Sequence, residues 1–255
     1  MRFSRGTAAI VAALLALALI APAVAETTWR PKTGRANRWA NDRQGSVTFA
    51  VKDTEGRMHA RGGRLRVPMA STLKVMFLVA YIRQNSVRNR RLRDSDKSLL
   101  APMIRRSDND TATRIADMLG PGRMYRLARK AKMRDFHYTR PWGLSTTSAS
   151  DQARFMFRVD RFVPKRHRGY ARWLLSHIIE RQRWGIGKVE TQGWRKLFKG
   201  GWGSGTGAVD HQVVLLKRKD GTRVGLAVMT TNSPSHDYGK RTLKGMFARL
   251  LRTLP

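Results

Sequence analysis

The chain has 255 residues, 51 Lys and Arg against 17 Asp and Glu, a formal charge of +34 at pH 7, and no cysteine. The missing thiols exclude disulfides, thiol catalysis and zinc–thiolate sites, so packing alone must hold the fold. The charge draws the protein to anionic polymers at low ionic strength, but it is spread along the whole chain and names no activity.

The first 25 residues have the pattern of a secretory signal. Arg2 and Arg5 form a positive n-region, Ala8 to Ile20 an apolar stretch too short to span a bilayer, and Ala23-Val24-Ala25 a small-x-small cleavage site. Export is therefore expected, with cleavage near Ala25. The remaining residues, 26–255, are enough for one domain with a substantial core. An exported chain has little access to nucleic acid, so its polyanionic neighbours are expected to be anionic wall polymers or lipid headgroups.

Ser46 to Asp53 (SVTFAVKD) has the β-branched content of a strand, and Glu55-Gly56 turns it into a second one. A helix is predicted from Ser71. Its segment TLKVMFLVAYIRQ is apolar almost all round, which marks a buried central helix. Arg88 to Arg93 (RNRRLR) reads as a solvated loop. From Lys97 to Arg183 the apolar spacing is three and four, as in helices, through LLAPMI, TATRIADML and MYRLARKAKM, then Asp151 to Phe162 and Ala171 to Arg183. Three antiparallel strands follow, Lys196 to Trp202, His211 to Lys217 and Val224 to Thr230, the last two joined at Lys219-Asp220-Gly221. Lys240 to Arg252 is an amphipathic terminal helix.

Neither set of strands can bury a sheet face alone. The expected closure is an α+β sandwich in which the N- and C-terminal strands form one antiparallel sheet with flanking helices. The α/β lobe would take residues 26–90 and 190–255, and an all-helical lobe 91–189. A cleft between the lobes is the expected ligand site.

Three short segments carry chemistry. Ser71-Thr72-Leu73-Lys74 is the chain's one S-x-x-K. At a helix start, Ser71 meets free backbone N–H groups and the positive dipole end, which favour a developing anion. Lys74 lies one turn along on the same face, and burial beside a second cation would lower its pKa enough for it to act as a base. Ser107-Asp108-Asn109 is a helix cap by composition. Lys199-Gly200-Gly201 opens a glycine-rich stretch, but the chain has no phosphate-loop motif G-x-x-x-x-G-K-[ST]. There is no H-E-x-x-H and no G-x-S-x-G elbow, so neither zinc nor a histidine triad is supported, and no cofactor or metal is expected.

The segment RVPMASTLK (Arg66 to Lys74) resembles the nucleophile region of class A β-lactamases. With MIRRSDNDTA and KGGW in the same order, the chain resembles the penicillin-recognising serine hydrolases from about Ser46 to the last helix. That resemblance implies the β-lactamase/transpeptidase-like fold, with Ser71 as nucleophile and Lys74 as base. It also implies that Ser107 and Asn109 lie across the cleft and that Lys199 is the second cation. The backbone N–H groups of Ser71 and Trp202 would form the oxyanion hole, and Gly200 and Gly201 would line the substrate strand. The implied substrate is a β-lactam, a D-Ala-D-Ala-type peptide or a small ester.

The family's omega-loop E-x-x-L-N motif is missing. No glutamate occurs from Asp110 to Ser150, Asp135 reads as a surface residue, and Glu180 as a local ion-pair partner in a helix. Gly200 replaces a hydroxyl residue and is expected to let substrate approach the backbone. These departures suggest an enzyme that acylates readily but deacylates slowly, or one with a different amide or ester substrate, and the chain resembles actinobacterial-type serine hydrolases with a KGGW-type third motif and no omega-loop Glu. The alternatives are a wall D,D-peptidase (a penicillin-binding protein) and a non-catalytic polycationic envelope-binding module.

Overall fold

The computed structural model describes residues 28–255 apart from 204, 206 and 207. The expected signal segment, 1–25, lies outside the described residues. In chain order the elements are α1 (Thr33–Asn41), β1 (Ser46–Lys52), β2 (Met58–Arg61), β3 (Val67–Pro68), a 3-10 turn (Ala70–Leu73), α2 (Lys74–Ile82), α3 (Asn85–Arg88) and α4 (Asp94–Ala101). A π turn (Pro102–Arg106) and α5 (Asn109–Lys130) lead to β4 (Thr146–Thr147), α6 (Ala149–Phe157), α7 (Val159–Phe162) and α8 (Arg168–Ser176). The chain ends with β5 (Arg195–Gly203), β6 (Val209–Lys217), β7 (Arg223–Thr231) and α9 (His236–Leu250).

The five long strands form one antiparallel sheet in the order β2-β1-β7-β6-β5. The N-terminal strands thus join the C-terminal ones through β1 and β7, which is the expected closure. β1, β6 and β7 are buried residue after residue, because both faces are covered. Asp210 on one face meets Gly239 of α9, and α1 packs against α9. Gly225 on the opposite face meets Ala153 and Phe157 of α6. A helix of the predicted helical block, α6, therefore lies on the sheet. β5 is an edge strand, so one of its edges carries unpaired backbone groups.

α2 is buried at every one of its nine residues, which accounts for its all-round apolar sequence. It packs against α5, and the 3-10 turn at its N-terminus packs against β5. α1 was not anticipated, since its sequence TGRANRWAN is mostly polar and only Ala36 and Ala40 are buried. Two other expectations change. The helix expected to reach Arg183 stops at Ser176, and Glu180 sits in a separate 3-10 turn. Within the loop of arginines, Arg90 is committed, its guanidinium donating to both oxygens of buried Asp96 at 2.6 and 3.0 Å. Among the described residues no helix is long and apolar enough to cross a membrane.

Candidate active site

Ser71 lies in the 3-10 turn that leads into α2, and the chain around it is held in place. Ala70 has φ 44°, a left-handed conformation that costs a residue with a Cβ of order 1 kcal/mol or more and persists only where neighbours enforce it. The enforcing contacts are explicit. Met69 N donates to Ser145 O at 2.7 Å, and His211 Nε2 donates to Pro68 O at 2.8 Å. Thr230 N donates to His211 Nδ1 at 3.1 Å, which leaves the ring proton on Nε2. Burial pushes the His211 imidazolium down to about 4, so the ring is neutral near pH 7.

Lys74 follows one turn later, fully buried. Its Nζ donates to Ser107 O at 2.5 Å, to Asn109 Oδ1 at 2.8 Å and to Ser107 Oγ at 3.3 Å. Ser71 Oγ is not among its partners. Burial lowers the Lys74 pKa to about 7, the nearby Asp108 charge opposing the shift. The acceptors around the ammonium are neutral, so nothing recovers the full cost of its desolvation.

Ser107 owes its position to the π turn before it, a bulged geometry common at functional sites. Its φ is 59°, and Asp108 N closes the turn on Pro102 O at 3.2 Å. Capping and site chemistry divide between neighbours here. Asp108 caps α5 through Thr111 N at 2.8 Å, while Asn109 turns to Lys74. Gln182 steadies the turn by donating to Arg106 O at 2.7 Å.

Lys199 comes from β5, fully buried, and donates to Ser107 Oγ at 2.9 Å and to Gly200 O at 2.7 Å. Its pKa falls well below the lysine range through burial, with repulsion from Lys74 adding to it. Ser107 Oγ thus sits between two lysines, each with a weakened hold on its proton. Gly201 shares the face of Lys199. A methyl on it would lie 2.8 Å from Thr72 N and 2.9 Å from Ser71 N, so only glycine lets the strand approach the nucleophile turn.

Gly200 and Trp202 alternate to the opposite face of β5. A methyl on Gly200 would lie 2.7 Å from the Trp184 ring, so Gly200 makes room for an indole of the protein itself rather than for substrate. Trp184 meets Trp202 edge-on at 6.0 Å, and His236 stacks on Trp202 at 5.6 Å. Gln212 fixes this wall, accepting from Ile186 N and donating to Trp184 O, both at 2.8 Å.

The structure therefore brings Ser71, Lys74, Ser107, Asn109, Lys199 and Gly201 together, and places the Trp202 ring and the Cβ direction of Gly200 on the other face of the strand. The acidic residues considered for the missing glutamate lie elsewhere. Asp135 is buried rather than on the surface, bonded to Arg64 at 2.9 Å and Ser148 at 2.8 Å. Glu180 is exposed and pairs with Lys188 and Arg183. What faces Lys74 from the 140s segment is Trp142, its ring 5.0 Å from Nζ and its Nε1 bonded to Thr113 Oγ1 at 3.1 Å. Trp142, Trp184 and His211 escaped the sequence reading, because no motif spacing ties them to the three segments. Among the described residues no cluster of three or more His, Cys, Asp or Glu could hold a metal ion.

Comparison with known proteins agrees with this architecture. The model described as the beta-lactamase enzyme family matches residues 89–252, well over half of the chain. No curated protein matches the sequence. Among solved structures, a beta-lactamase from Sphaerobacter thermophilus is similar with a TM-score of 0.73 at 19% identity, covering 86% of this chain and 97% of the other. An ancestral class A beta-lactamase gives 0.71 at 20% identity, covering 85% and 96%. The structure titled PBP-A gives 0.69 at 17% identity, covering 87% and 96%. The chain belongs to the beta-lactamase enzyme family and has the β-lactamase/transpeptidase-like fold.

Proposed function

We propose that the protein is an exported serine hydrolase that forms an acyl-enzyme on Ser71 with a β-lactam or a related amide or ester. One observation carries the reading: Lys74 and Lys199 are buried together on Ser107, with Lys74 lowered to about 7. In this reading neutral Lys74 takes the Ser71 proton as Oγ attacks the carbonyl carbon. The negative charge gathers on the carbonyl oxygen, toward the N–H groups of Ser71 and Trp202. As the C–N bond breaks, Ser107 gives its proton to the leaving nitrogen and is reprotonated from Lys74. Lys199 keeps that serine polarised and draws an anionic substrate group. The signal-like first 25 residues support export.

A second reading, a wall D,D-peptidase, is favoured by the Trp142 ring over Lys74 where an omega-loop carboxylate would serve a β-lactamase. A fluorescent penicillin or fluorophosphonate is expected to label the mature protein, and Ser71→Ala to abolish labelling. Intact-mass spectrometry over time separates the readings. A persistent penicilloyl adduct favours the peptidase and rapid turnover a β-lactamase. No adduct with either probe would remove the acyl-enzyme claim.

A further inference from the structure

A groove of about 490 Å³ lies between the C-terminal end of α2 and the second half of α5. It is remote from the candidate site. Arg83 caps the far end of the helix that Lys74 begins, nine residues on, which is about 14 Å at 1.5 Å per residue. Ala80 and Leu127 form its apolar floor, and Arg83, Arg123, Arg126 and Lys130 supply its charge. The remaining wall consists of Gln84 in the turn after α2 and of Asn85 and Ser86 at the start of α3.

The four cations are arrayed and their charge is not neutralised. The α5 helix breaks at Gly120, φ 63° and ψ 169°, and restarts at Pro121. From there Arg123, Arg126 and Lys130 recur at three and four residues and share one face. Arg83 donates to Phe162 O at 2.9 Å and Arg123 to Leu119 O at 3.1 Å. Those neutral carbonyls orient the guanidinium groups without cancelling them. No carboxylate lines the groove, and among the described residues none of the four forms an ion pair.

The other basic grooves differ. In one, Arg172 and Lys217 are spent on Asp160, which leaves Arg195, Arg218 and Lys219 beside the ring of Trp194. In another, Lys97 is paired with Asp94. A third has Glu180 and Asp237 in its wall. Four like charges facing one concavity repel each other until an anion enters, and a guanidinium fork suits phosphate oxygens.

We propose that this groove is a binding site for a phosphate-bearing polymer. Its lining has no aromatic side chain on which bases could stack, which disfavours single-stranded nucleic acid. Its concave shape admits a polymer segment more readily than a flat bilayer. Occupied, it would hold the protein on the polymer with the Ser71 cleft free at the opposite end of α2, whatever substrate Ser71 takes.

The test is titration of the mature protein with inorganic polyphosphate over a range of salt concentrations. Binding is expected to weaken steeply with salt, as counterion release from about three phosphates requires. The double variant Arg126→Glu, Lys130→Glu should lose at least tenfold in affinity while keeping its thermal melt. Arg35→Glu, Arg38→Glu makes the same change in charge on exposed α1 and should lose less than threefold. Equal losses would show that only the overall charge matters, and no loss in the groove variant would show that the groove is empty of polymer; either overturns the proposal. Groove-dependent binding that is tighter for a single-stranded oligonucleotide or for phosphatidylglycerol vesicles than for polyphosphate would also overturn it.

Discussion

If neutral Lys74 takes the Ser71 proton, the acylation rate follows the fraction of Lys74 that is unprotonated. With a pKa of about 7, that fraction is roughly one half at pH 7, one tenth at pH 6 and nine tenths at pH 8. An ordinary lysine at 10.5 would leave only about three molecules in ten thousand neutral at pH 7. Burial therefore supplies on the order of a thousandfold in available base, about 4 kcal/mol at 1.36 kcal/mol per unit. The assay is stopped-flow or quenched labelling with fluorescent penicillin between pH 5 and 9. The expected second-order rate rises about tenfold per unit below pH 6.5 and levels off above pH 8. Lys74→Arg, whose guanidinium stays protonated, should lose the inflection together with at least a thousandfold in rate. Lys199 is the competing titrating group, being buried against the same serine. Lys199→Met should lower the rate but keep the inflection near 7. An inflection above 9, or one that survives Lys74→Arg and vanishes with Lys199→Met, would refute the assignment of the base.

Three more outcomes follow from the same contacts. Because burial sets Lys74 lower in the folded chain than in the unfolded one, the unfolded chain binds the extra proton between about pH 7 and 10.5. The stability of the native protein should thus gain roughly 2 kcal/mol relative to Lys74→Met as pH rises from 7 to 9, read as a change in the difference between their melting temperatures. Gly201→Ala must push β5 off the nucleophile turn by several tenths of an ångström, since its methyl would lie 2.8 Å from Thr72 N. It should cost about 1–3 kcal/mol in stability and about a hundredfold in Ser71 labelling, whereas wild-type values for both would remove the steric argument. His211→Leu strands the Pro68 carbonyl and the Thr230 amide, an expected loss of roughly 2–5 kcal/mol by thermal or denaturant unfolding, with labelling slowed as the turn before Ser71 loosens.

Much of the fold was legible because its signals are local. β-branched content marked β1, three strand-like runs near the C-terminus foretold β5, β6 and β7, all-round apolarity marked α2, and the inability of either strand group to bury a face forced them into one sheet. The failures share a cause too. α1 packs on α9 with Trp39 against Gly245 and its Nε1 donating to Thr242 O at 3.3 Å, a contact between chain segments some two hundred residues apart that leaves no periodic trace. α6 has ordinary helical spacing, and nothing in its sequence says that its apolar face meets the sheet. Asp135 looks like any surface carboxylate until Arg64 and Ser148 are seen beside it.

For the site, the three segments named the groups that meet, but not what makes them reactive. Spacing put Lys74 one turn after Ser71; the depression of its pKa comes from burial, which Trp142 contributes to from a part of the chain with no motif. Lys199 was expected as the second cation, and it meets Lys74 through Ser107, whose left-handed backbone turns both its carbonyl and its hydroxyl toward the lysine pair. Gly200 shows the converse. In sequence it is a hydroxyl lost from the substrate strand, yet its Cβ position faces away from Ser71 into Trp184. A serine restored there would have to displace an indole that Gln212 holds through the Trp184 carbonyl. The departure at Gly200 is thus tied to the tryptophan wall behind β5, and glycine at 200 and tryptophan at 184 are one feature of this chain rather than two.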